Sequence, residues 1–275
     1  MIKRSAALLA LFLFGCGRAA PQGWLGYAEG DVAFVAAPQA GWVSDLKVER
    51  GAQVRTGELL FRLDDVNQAA ARDQAKAQIA QAQGQLGQAR ASLVLATQEL
   101  TRQRNLTRAG ATSRQALDQA QSAYNTAAAL VAQIEGNERQ ARAALAGAAY
   151  QLSERDVVSR TSGRVQDIFF RPGEYAPAMT PVVSILPPGN VYVRFFVPET
   201  EFAKLRLGQK VLVSCDGCAK SIAATVSFIA AQEEFTPPVI FSVGNREKLV
   251  FKVEARAPGG LPLHPGQPVE VRPLP

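Results

Sequence analysis

The chain has 275 residues, 47% of them hydrophobic and 20% charged, a balance that excludes wholesale disorder. Its net charge of +6 permits an acidic partner but is mild for a dedicated nucleic-acid binder. Three cysteines exclude a disulfide scaffold, a single histidine sharply limits His-based catalysis and metal sites, and no apolar run reaches the roughly 18–20 residues of a membrane-spanning helix.

Lys3 and Arg4 make a positive start, Ala6 to Phe14 form an unbroken apolar run, and Gly15-Cys16-Gly17 follow. The run is too short to span a bilayer and fits the apolar region of a secretory leader. Leu13-Phe14-Gly15-Cys16 resembles a bacterial lipobox, which implies cleavage before Cys16 and lipidation of its thiol. The plainer alternative is an ordinary signal peptide with an incidental cysteine. Residues 1–15 are thus expected to be a lipoprotein signal peptide and 16–32 an N-terminal linker, with the mature protein outside the cytoplasm and held at a membrane surface by lipid.

Two segments repeat at an offset of 122 residues. Gly41-Trp-Val-Ser-Asp-Leu-Lys-Val matches Gly163-Arg-Val-Gln-Asp-Ile-Phe-Phe, and Gly51 matches Gly173. Each copy ends in an apolar run, Leu59-Leu60-Phe61 or Val182-Val183-Ser184-Ile185. Alternation punctuated by glycine predicts short strands and turns, and two such copies are expected to pack face to face as a small β-sandwich.

Residues 66–155, between the copies, contain 25 Ala, 15 Gln and no Pro, a composition of high helix propensity. Ile79, Leu86, Leu93 and Leu100 recur every seven residues, with Ala75, Ala82, Ala89 and Ala96 on the same seam. The second arm repeats Leu117, Tyr124, Val131, Leu145 and Leu152, broken at Glu138, with Ala120, Ala127, Ile134, Ala141 and Ala148 as partner row. This predicts an antiparallel coiled-coil hairpin. Folding at Gly110 pairs positions whose numbers sum to 220, so that Leu100 meets Ala120 and Leu93 meets Ala127. Large then faces small at nearly every layer, which allows close approach without overpacking. Thr112-Ser-Arg-Gln115 reads as a capping box opening the second arm.

From about residue 188 the chain reads as β-rich. Val191–Val197, Val211–Val213, Thr225–Ala230 and Leu249–Ala255 are expected strands, and Pro198–Leu205 a short helix. Together they suggest a small barrel, followed by a proline-rich tail. The fold class is α+β.

A β-half-motif, a long helical hairpin, a second half-motif and a barrel on a leader with a lipobox resemble the periplasmic adaptors (membrane fusion, HlyD-like proteins) of Gram-negative tripartite pumps. Ala37-Pro38-x-x-Gly41-x-Val43 through Leu60-Phe61-x-Leu63-Asp64 is similar to the first half of their biotinyl/lipoyl-like domain, and Ser162-Gly163-x-Val165 through Leu186 to the second. The resemblance implies a split lipoyl-like sandwich (33–65 and 156–187), a hairpin at 66–155 with its tip near 106–113, and a β-barrel with tail at 188–275. Adaptors that dock TolC-type channels carry Arg-x3-Leu-x6-Ser at the hairpin tip, and Arg102, Leu106 and Ser113 have that spacing. The resemblance therefore implies channel docking by these three residues. The plainer reading gives Leu106 to the coiled coil, Ser113 to the helix cap and Arg102 to solvent.

Phe235 through Ala255 resembles the adaptors of ABC-type exporters, and the short segments flanking the motifs leave little for the membrane-proximal domain usual in adaptors of resistance-nodulation-division (RND) pumps. An ABC-type inner-membrane exporter is thus the expected partner, with a major-facilitator or RND pump as alternatives. The resemblance also implies a TolC-like outer-membrane channel, self-association as a hexamer, inner-membrane anchoring in the periplasm, no nucleic acid and no cofactor. The competing class is a periplasmic scaffolding lipoprotein that does not contact a channel. A lipoyl or biotin carrier would need its modified lysine where Asp64-Asp65 stand. Cys215-Asp-Gly-Cys218 reads as a two-residue turn carrying a local disulfide or two thiols. Redox or metal chemistry is the minor reading, and no catalytic or metal-binding residues are expected.

Overall fold

The computed structural model describes residues 23–218, 220–235 and 249–274. Cys16 lies outside them, as does most of the 235–255 segment with ABC-adaptor character. The chain divides into two compact units, one formed by 34–185 and the other by the remainder.

The first strand, β1 (Trp24–Gly30), belongs to the second unit. The first unit opens with β2 (Ala33–Ala36), β3 (Gly41–Leu46), β4 (Gln53–Val54) and β5 (Leu59–Leu63). After the helical insert come β6 (Asp156–Val158), β7 (Gly163–Ile168), β8 (Tyr175–Ala176) and β9 (Pro181–Leu186). They form two four-stranded sheets, ordered β2-β9-β7-β4 and β6-β5-β3-β8. A shift of 122 residues carries β3 onto β7 and β4 onto β8, and turns one sheet order into the other. Each sheet therefore mixes both halves of the repeat. Val43 and Val165 are equivalent positions, and both are buried in one apolar core with Leu60, Phe61, Leu63, Val182, Val183 and Ile185. Each large apolar side chain removed from water contributes about 1.5–3 kcal/mol.

The insert forms α1 (Val66–Arg108) and α2 (Arg114–Ser153), arms of about 65 and 60 Å at ~1.5 Å per residue. Ala75, Ala82, Leu86, Ala89 and Leu100 of α1 and Ala120 of α2 are buried, and the remaining positions of the four heptad rows are half-buried. Gln83 donates to Glu138 across the pair (sum 221), while Arg90–Glu135 and Arg104–Gln121 reach further along the axis (sum 225). The helices thus pair close to the expected register, and long side chains span the offset. Glu138, the polar position of the seam, is satisfied by Gln83 and by Arg142 at 2.6 Å. Those bonds, Arg142's first, hold its carboxyl below the usual range. At the hairpin root, buried Arg155 donates Nη1 to the Ala40 carbonyl at 2.9 Å and its own carbonyl accepts from Leu63 N.

The second unit adds β10 (Val191–Pro198), the single-turn α3 (Glu199–Phe202), β11 (Lys210–Ser214), β12 (Ile222–Phe235), β13 (Leu249–Arg256) and β14 (Pro268–Pro273). With β1 they close a barrel ordered β1-β10-β13-β12-β11-β14. Two expectations are corrected here. Residues 24–30, read as linker, form a barrel strand, and β14 lies inside the proline-rich tail; the two strands pair with each other from Trp24↔Val271 to Tyr27↔Pro268. A barrel leaves no exposed edge only if its first and last strands meet. Trp24 is buried, stacks on Phe195 at 5.6 Å and donates Nε1 to Glu201 at 2.7 Å. On the outer face Arg194 bridges Glu29 of β1 (2.7 Å) and Glu254 of β13 (3.1 Å), tying three strands together. Burial and the bond to Glu29 push the neighbouring Tyr192 phenol up to about 12.

Candidate functional site

The candidate site is the hairpin tip, built by two helix ends. α1 stops because Gly110 takes φ +70°, a conformation that costs a residue with a Cβ. Ala111 N donates to Leu106 O at 2.9 Å and Gly110 N to Thr107 O at 3.1 Å, the paired bonds of a Schellman ending. They satisfy carbonyls that the helix would otherwise leave orphaned. Gly110, the fold point read from the heptads, is the residue that makes the reversal.

α2 starts at Ser113, whose Oγ accepts from Ala116 N at 3.1 Å. This corrects the expected capping box, because the cap is Ser113 and not Thr112. Thr112 is drawn away: its Oγ1 donates to Gln103 Oε1 across the tip at 2.9 Å. With Ser113 as cap, the third helical residue is Ala116, which has no carboxamide to return the bond.

The three expected docking residues all lie around this reversal. Leu106 is 36% exposed at the end of the apolar seam. Arg102 is exposed one turn before it and paired with Glu99. Gln103 Nε2 donates to the other oxygen of Glu99 at 2.8 Å; with the Arg102 contact this keeps the Glu99 carboxyl below its usual range. Arg104 is bonded to Gln121 at 2.8 Å, and Arg108 and Arg114 add charge beside Gly110. The tip thus offers one partly exposed leucine with four arginines on the adjoining turns, suited to apolar contact framed by carboxylate or carbonyl acceptors. Gln103, to which Thr112 bonds across the tip, carries no mark in the sequence beyond its proximity to Gly110.

The cysteine pair lies elsewhere. Cys215 and Cys218 are joined by a disulfide at the turn between β11 and β12. His264 sits in an exposed turn closed by Gln267 N donating to its carbonyl. Among the described residues no His/Cys/Asp/Glu cluster suits a metal ion, and no helix is long and apolar enough to cross a membrane.

Comparison with known proteins follows this geometry. The family described as "RND MFP, alpha-helical hairpin domain" matches residues 78–154. A UPF0194 membrane protein from the asrC 5' region of Acidithiobacillus ferridurans is 29% identical over 256 residues, 79% of this chain and 76% of the relative. The colistin resistance protein EmrA of Acinetobacter baumannii is 25% identical over 281 residues, 84% of this chain and 78% of that protein. The crystal structure of MacA from Actinobacillus actinomycetemcomitans aligns with a TM-score of 0.72 at 21% identity, covering 90% of this chain and 76% of the other.

Proposed function

We propose that this chain is a periplasmic adaptor of the membrane fusion family and couples an inner-membrane exporter to a TolC-like outer-membrane channel. It acts as an adaptor and not as an enzyme. The observation that carries the channel contact is the hairpin tip, where Arg102, Leu106 and Ser113 flank a tight reversal and leave Leu106 partly exposed within a basic rim. Burying one leucine contributes about 1.5–3 kcal/mol at most, so a firm contact needs several copies. Copies assembled as a hexameric ring would present several tips at once, and a heterologous side-to-side interface closes such a ring.

The exporter is proposed to be of the ABC type, from the resemblance of residues 235–255. Lipidation at Cys16 would hold the protein at the inner membrane in the periplasm, where a disulfide persists. A relative is named for colistin resistance, which supports efflux or secretion as the process.

One observation favours a second reading, a scaffold without a channel. Ser113 is already used as a helix cap and Arg102 is already paired with Glu99. A photocrosslinking residue at position 106 in intact cells separates the two. Capture of an outer-membrane channel supports coupling. Capture of only other copies of this chain, or of a periplasmic protein, gives the scaffold reading.

A further inference from the structure

The Cys215–Cys218 disulfide is poorly placed to be a staple. It closes a loop of sequence separation 3, and the stabilisation a disulfide gives by restricting the unfolded chain is least for the shortest loops. The turn is closed without it: Cys218 N donates to Cys215 O at 3.1 Å and Gly217 supplies φ +83°, and the β11–β12 ladder holds the flanking chain from Val213↔Ile222 onward.

Its surroundings suit chemistry better. Both half-buried cysteines rest on the barrel core on one side, and on the other they line an open cavity of about 380 Å³ with Lys220, His264 and Gln267. Gln267 Nε2 donates to Cys215 Sγ at 3.0 Å. That amide is fixed in advance, since its Oε1 accepts from His264 N at 3.1 Å and its backbone carbonyl accepts from Ala28 N at 2.8 Å. A donor aimed at a neutral disulfide sulfur contributes little, whereas the same donor on a thiolate makes a charge-assisted bond about twice as strong. Lys220 adds a positive charge to the cavity, and Asp216 partly opposes it.

We propose that Cys215–Cys218 is an exchangeable disulfide, a site at which a protein dithiol reduces this chain. The partner's thiolate attacks Cys218 Sγ. The Cys215–Cys218 bond breaks, and its electron pair passes to Cys215 Sγ, where Gln267 holds the leaving thiolate until it is protonated. The partner's second thiolate then attacks the mixed disulfide and releases the Cys218 thiol. Two electrons and two protons pass to this chain, and the dithiol becomes a disulfide. The leaving sulfur sets the rate together with the attacking thiolate, so Gln267 is a positioning residue. This site is independent of the tip and of any export activity.

Reduced glutathione is the probe, used on the full-length folded chain. After quenching by alkylation, mass spectrometry of the tryptic peptide Val211–Lys220 reads the state of both cysteines. Opening under native conditions is expected, with glutathione trapped on Cys218. Gln267→Glu keeps the oxygen that accepts from His264 N, removes the donor and adds charge, and should slow opening roughly tenfold. Gln267→Leu should slow it as well, and circular dichroism checks that both variants keep the fold. Opening only in denaturant, glutathione trapped on Cys215, or equal rates in folded variants and parent would each overturn the proposal.

Discussion

Gly51 and Gly173, 122 residues apart, hold φ of +86° and +88° and make reciprocal bonds: Gly51 N donates to Val165 O, and Gly173 N donates to Val43 O. Each glycine turns the chain in its own half and bonds to the strand of the other half. The two halves therefore complete each other, although a 43-residue and a 40-residue helix separate them.

An added Cβ meets nothing within 4 Å at either glycine, so Gly51→Ala and Gly173→Ala should be penalised by backbone conformation alone. About 1–2 kcal/mol is expected at each. Urea unfolding should give nearly equal losses at the two sites; a loss at only one would mean that the halves are not energetically equivalent.

Trp24→Ala tests whether β1 is part of the barrel. Removing a buried, stacked tryptophan and its bond to Glu201 should cost about 3–5 kcal/mol. A drop in the thermal midpoint of the barrel transition checks this; an unchanged midpoint would return residues 24–30 to the status of a linker.

Glu138 makes hairpin stability depend on pH. Its folded-state carboxyl is held below the ordinary value by Arg142 and Gln83. The stabilisation is therefore complete above the unfolded value, about 4.3, and is lost as pH falls through the lower, folded value. Glu138→Gln should lower the melting temperature of the helices, followed at 222 nm, at neutral pH. The difference should shrink as pH falls below about 4.3, and a constant difference would argue against linkage.

Leu106→Asp tests the tip. A carboxylate desolvated against a partner without a compensating bond is costly, so export should be lost while expression and assembly persist. Leu106→Met, of similar volume, should retain export. Normal export by the aspartate variant would remove Leu106 from the contact.

Much of the first unit was legible in the sequence, because its signals are local and periodic. Seven-residue spacing reports which side of a helix is dry, and the 122-residue repeat reports equivalent strands. One glycine between two heptad arms marks the reversal at Gly110. Arg102, Leu106 and Ser113 could be placed at the tip for the same reason. The cap was misplaced by one residue, because Thr112 and Ser113 are equally good caps locally and only Gln103, reaching from the other helix, decides between them.

What the sequence determined by itself is therefore the hairpin, its approximate register and the doubled sandwich, all carried by periods that adjacent residues can display. Tertiary structure alone decided that Trp24–Gly30 and Pro268–Pro273 are neighbouring strands, that Arg194 joins three of them, and that Gln267 points its amide at Cys215. These are pairings between segments far apart in the chain. A strand of four to seven residues has no periodicity long enough to announce itself, and its hydrogen-bonding partner is chosen only when the barrel closes.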